Sequence, residues 1–74
     1  MQNFNSLNEL NEFLKLNDID TIISTLSPGF TFGDIVVYEL SIASSSELVF
    51  LDEVDMETIS ISLNDKVASF KTLS

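Results

Sequence analysis

Apolar residues recur at two different periods along this chain, and the period changes near Gly33. In SLNELNEFLKL, Leu7, Leu10 and Leu14 fall at i, i+3 and i+7, with Phe13 widening the stripe. That spacing predicts a helix over 6–16. Ser6 followed by Glu9 is a capping-box signature, in which each side chain can satisfy a backbone N–H near the other. Asn8, Glu9, Asn11, Glu12 and Lys15 fall on the outer surface, and Glu12 with Lys15 is a favourably oriented i,i+3 pair. DIDTIISTL predicts a second helix over 18–26, with Ile19, Ile22, Ile23 and Leu26 on one side. Asn17 or Asp18 is placed to cap it, and Asp20 suits the positive end of its dipole. Its β-branched content makes a strand the rival reading, but the period favours a helix. Ser27, Pro28 and Gly29 stop it.

After Gly33 the period falls to two. DIVVYELSIA predicts a strand over 34–43, with Val36, Tyr38, Leu40 and Ile42 on one face. Ser44, Ser45 and Ser46 form a turn cluster, and ELVFL over 47–51 is a short apolar strand. TISISL over 58–63 sets Ile59, Ile61 and Leu63 against Thr58, Ser60 and Ser62. Asn64 and Asp65 turn the chain into a last strand over 66–73. The expected fold is a single α+β domain spanning 1–74, its two N-terminal helices packed on one face of a three- to four-stranded antiparallel sheet.

Composition narrows the function more than the fold. Seventy-four residues make one small domain, and a chain of this length buries about 60% of its unfolded surface. The 45% apolar content argues for a folded core despite a net charge of −9. The chain contains no cysteine, histidine, tryptophan or arginine, and its only cations are Lys15, Lys66 and Lys71. No thiol nucleophile, imidazole base, thiolate or imidazole zinc site or bidentate guanidinium clamp is therefore available. An enzyme is not expected, nor is a catalytic residue, a bound metal or a cofactor. The N-terminus has no basic region and the longest apolar runs are four residues, so neither a signal peptide nor a membrane span is expected. An acidic chain repels anionic membranes and nucleic acid, so the expected setting is the cytoplasm and the expected partner a basic protein.

The densest charge is in LDEVDMETISIS, where Asp52, Glu53, Asp55 and Glu57 fall within six positions without a neighbouring cation. Continued as a strand, 53–57 would put Glu53, Asp55 and Glu57 on the face that Ile59 and Ile61 occupy just beyond. A bulge or loop is therefore expected near Glu57 and Thr58. Three readings stand side by side. The acids keep an edge or loop soluble and discourage strand-to-strand aggregation. Alternatively, with Glu47, they form a row of negative charge, about 6.6 Å between same-face carboxylates, matched to a basic groove built for a nucleic-acid backbone. A calcium site is the third, although neither NDIDT nor DEVDMET has the glycine and twelfth-position glutamate of an EF-hand loop. PGFTFGD carries Phe30 and Phe32 between two glycines. These rings either cover the end of the core or, if exposed, anchor a protein partner.

In size, acidity and lack of catalytic residues, the whole chain resembles the small cysteine-free inhibitors encoded by phages and other mobile elements, anti-CRISPR proteins and anti-restriction DNA mimics among them. The resemblance implies steric or electrostatic blockade of a nucleic-acid-processing machine in a bacterial host, without chemistry. Antitoxins and bacteriocin immunity proteins are similar in the same respects, and a small phage structural or assembly protein is the rival from another class. The expected partner-binding residues are Glu47, Asp52, Glu53, Asp55, Glu57, Phe30 and Phe32, on a monomer or homodimer.

Overall fold

The computed structural model describes residues 2–27, 29–37, 39–44, 46–52 and 57–72; at 39–44, 52, 57, 71 and 72 the description covers the backbone. The chain runs β1 (Gln2–Phe4), α1 (Leu7–Leu16), α2 (Ile19–Leu26), β2 (Phe30–Phe32), β3 (Ile35–Val37), β4 (Glu39–Ser44), β5 (Glu47–Asp52), β6 (Glu57–Ser62) and β7 (Val67–Thr72). This is an α+β fold with two sheets. One has the order β1-β2-β3, and the other is an antiparallel meander, β4-β5-β6-β7.

Both helices form for local reasons that the sequence states. Ser6 Oγ accepts from Glu9 N–H at 3.2 Å, and the Glu9 carboxylate accepts in return from Asn5 N–H, one residue earlier than a standard capping box. Asp18, not Asn17, caps α2, accepting from Thr21 N–H at 2.8 Å. The helix ends where Gly29, at φ 117°, donates its N–H to the Leu26 carbonyl at 2.8 Å. Leu10, Leu14, Ile22 and Leu26 are buried, as the helical period requires. No ion pair joins Glu12 to Lys15.

The strands depart from expectation in two places. The expected strand over 34–43 divides into β3 and β4, which belong to different sheets. Within β3 the inward residue is Val37, 1% exposed, while Val36 is 41% exposed. Three consecutive apolar residues leave the phase open, and pairing settles it by placing Val37 opposite the buried Phe30. The N-terminal β1 was not expected at all; it pairs in parallel with β2, Gln2 opposite Phe30 through Phe4 opposite Phe32. Gly33 turns β2 into β3 at φ 61° and donates its N–H to the Phe4 carbonyl at 2.8 Å. The three later strands fall within a residue of expectation, and β5 and β6 pair without a register shift from Glu47–Ser62 to Asp52–Glu57.

One core serves both sheets and both helices. Leu48 and Phe50 of β5, Ile59 and Ile61 of β6 and Ala68 of β7 line one face of the four-stranded sheet, against Leu10, Leu14, Ile22 and Leu26. The opposite face carries Val49, Thr58, Ser60 and Ser62, all half-buried, and the exposed Ser69.

Helix α1 also closes an exposed sheet edge. Asn11, which the helical pattern places outside, accepts from the Ala68 N–H of β7 at 2.8 Å, satisfying a donor that would otherwise invite another strand. Beyond the same edge, Lys66 turns β6 into β7 with φ 59°, a conformation unusual for a side chain larger than glycine or asparagine. Its ammonium donates to the Leu14 and Asn17 carbonyls at the C-terminal end of α1. That position also suits the negative end of the helix dipole. Replacing Lys66 with Met should keep the apolar stem but lose about 1–2 kcal/mol of unfolding free energy, read by chemical denaturation, because two helix carbonyls lose a charged donor.

Asp18 supplies a pH signature. Hydrogen bonds from the Thr21 side chain and then its backbone N–H, with a smaller contribution from the Lys66 charge, hold the Asp18 carboxyl below its ordinary range. A depressed native pKa stabilises the fold fully above the unfolded value of about 3.9 and ceases to as pH falls through the native value. Asparagine caps at any pH. The melting-temperature difference between the natural chain and an Asp18→Asn variant should therefore stay constant from neutral pH to about pH 5 and move in the variant's favour below about pH 4.

Candidate partner-binding surfaces

The β5–β6 hairpin sorts the acidic residues into two places. Its ladder ends with Asp52 directly opposite Glu57, so two like-charged residues occupy facing positions, which costs stability in a sheet. The next position across, on β7, is Thr72, and Lys71 faces Thr58. No cation therefore stands opposite either acid in the ladder. Residues 53–56, which join the two strands, carry Glu53 and Asp55; both lie outside the described residues. The register is regular from Glu57 onward, so the bulge or loop expected near Glu57 and Thr58 is absent there, and Glu57 shares the sheet face of Ile59 and Ile61.

Glu47 is not part of that group. It begins β5, and a six-residue strand places it about 17 Å along the hairpin from Asp52. Its carboxylate accepts from the Ser60 hydroxyl at 2.7 Å in a half-buried contact on the outer sheet face. Glu47 thus ties β5 to β6, and the expected continuous surface from Glu47 to Glu57 is two separate ends.

The two phenylalanines also divide. Phe30 is fully buried, with Phe4 at 5.7 Å and Phe50 at 4.9 Å, both edge-on. It is a core residue and not the exposed partner anchor included among the expected site residues, because its strand lies between β1 and β3 and turns it inward. Phe32 is half-buried and stacks on Phe70 at 5.7 Å, and Phe70 itself is 39% exposed. That pair is an aromatic surface partly open to solvent.

Sequence reasoning missed an open groove of about 480 Å³ between β1 and α1. Asn3 and Phe4 line one wall, and Asn8, Glu9, Glu12 and Phe13 line the other. Phe4 and Phe13 meet at 5.6 Å and supply its apolar floor. The helical spacing from Asn8 to Glu12 was legible, but the opposite wall depends on a parallel pairing with residues 28 positions away, which leaves no local pattern.

Among the described residues, no cluster of acids is arranged to hold a metal ion, and no helix is long and apolar enough to cross a membrane. No family model matches this chain, and neither a curated protein nor a solved structure matches it. The burial difference between the rings has a measurable consequence. Phe30→Ala should destabilise the fold by about 3–5 kcal/mol, as expected for a large core truncation. Phe32→Ala should cost only about 1–2 kcal/mol, since it removes a half-exposed stack. Chemical denaturation of both variants checks the order.

Proposed function

We propose that this protein is a non-enzymatic inhibitor that binds a basic protein surface, one adapted to nucleic acid, and blocks it sterically or by offering carboxylates where phosphates would lie. The observation that carries the reading is the register at the end of the β5–β6 hairpin. It sets Asp52 opposite Glu57, and the chain adds Glu53 and Asp55 between them. Solubility alone is served as well by mixed charge, whereas facing like charges cost stability that a cationic partner returns on binding. Of the three lysines, Lys66 is committed to the α1 carbonyls.

In this reading the protein works without a cofactor, in the cytoplasm of a bacterial cell, as phage- or mobile-element inhibitors of CRISPR or restriction machines do. An antitoxin or immunity protein would meet a basic toxin through the same charge. Capture of partners from the native host, identified by mass spectrometry, separates these cases. With the partner in hand, joint replacement of Asp52, Glu53, Asp55 and Glu57 by Lys should lower the association rate about tenfold or more at low salt and flatten its salt dependence. A folded variant with unchanged association kinetics would contradict the proposal.

A further inference from the structure

The groove between β1 and α1 joins three features that together define an occupant. First, among the described residues β1 is the edge of its sheet, with β2 on one side only. The Phe4 carbonyl turns toward β2, where it accepts from Gly33 N–H. Alternation along a strand then points the N–H and C=O of Asn3 the other way, toward the open edge. Second, the groove follows α1 for its length. Asn8, Glu12 and Leu16 form one row of its wall, each four residues from the next. A ten-residue helix is about 15 Å long, the span of four or five extended residues. The one-turn rise of about 5.4 Å along that row is close to the spacing of about 6.6 Å between alternate side chains of a strand. Third, the charged groups of the lining are both acidic: Glu9, already holding Asn5 N–H, and Glu12, exposed and without a hydrogen bond or ion pair. The neighbouring Phe13 ring is half-buried, and Leu16 is 81% exposed at the far end.

We infer that this groove takes an extended Lys- or Arg-bearing segment of a protein partner, which adds as a strand to the free edge of β1. Backbone pairing to Asn3 supplies affinity without regard to sequence. A basic side chain lays its stem over Phe13 and its charge beside Glu12, where aromatic face and carboxylate both favour a cation. The next residue on that side of the strand meets Leu16. The inference rests on the basic-partner reading for the sign of the partner's charge, but it places a contact on a different surface from the acidic hairpin.

The test is an amide-resonance titration of the full chain with blocked five-residue peptides. One alternates valine and arginine, a second replaces arginine with glutamate, and a third is the arginine peptide with alternate backbone nitrogens methylated. The arginine peptide should shift the amides of Asn3, Phe4, Glu12 and Phe13 in a saturable way and slow solvent exchange at Asn3. The glutamate peptide should shift none of them, and backbone methylation should weaken binding about tenfold by removing strand hydrogen bonds. Glu12→Gln should weaken the arginine peptide severalfold, whereas Asp52→Asn with Glu57→Gln should leave it unchanged. No saturable shift at millimolar peptide, or equal binding of the methylated peptide, overturns the inference. Shifts confined to Asp52, Glu57 and their neighbours overturn it too, while leaving the hairpin as the basic partner's contact.

Discussion

Four phenylalanine rings in successive tilted or edge-on contact connect α1, the three-stranded sheet and the four-stranded sheet. Phe13 of α1 meets Phe4 of β1 at 5.6 Å, Phe4 meets Phe30 of β2 at 5.7 Å, and Phe30 meets Phe50 of β5 at 4.9 Å. A sheet of three-residue strands has little stability alone. Its strands become a defined layer here because their aromatic side chains enter the core of the four-stranded sheet. Each ring pair adds about 0.5–1.5 kcal/mol beyond the area it buries. In a domain of this size, such terms are a substantial share of the total stability.

The same arrangement determines where charge can go. The core face of the four-stranded sheet packs against β3 at β5 and against α1 at β7, and α1 also lies against β1. Asn11 and Lys66 spend their polar groups on fixing α1 in that place. Among the described residues, acidic side chains gather on the groove beside β1, and acidic positions face each other at the Asp52–Glu57 end of the β5–β6 ladder. Both carry acidic residues, and neither has a lysine in its ladder-facing positions or its lining.

What the amino-acid pattern disclosed and what it hid follow the range of the interactions. The helices, their caps at Ser6 and Asp18, and the β5–β6–β7 meander rest on contacts within a few residues or between chain neighbours, and their periodicity was readable. The parallel pairing of β1 with β2 has no local signal, because its partner follows two intervening helices. Its absence from the reading also concealed why Phe30 is buried, and so put a core ring among the partner-binding residues. The run Ile35-Val36-Val37 is apolar on both faces, so only the tertiary pairing with Phe30 could select its phase. Asn11 read as a surface residue because hydropathy says nothing about an unpaired sheet-edge donor waiting beside it. Of the acidic site, Asp52 and Glu57 were brought together, Glu47 was separated from them, and Glu53 and Asp55 lie between the paired ends.

On the proposed function, the negative charge of this protein is uncompensated within the fold and so open to a cationic partner. Twelve acidic residues against three basic ones make this a claim about self-repulsion, which mobile ions screen over about 10 Å at 0.1 M. The most direct measurement is the melting temperature at pH 7 along a series of sodium chloride concentrations. The account predicts a rise from low to moderate salt that then levels off, because screening relieves repulsion that the native state concentrates. A melting temperature that stays flat or falls over that range would mean that the carboxylates are already balanced inside the structure, and it would contradict the account.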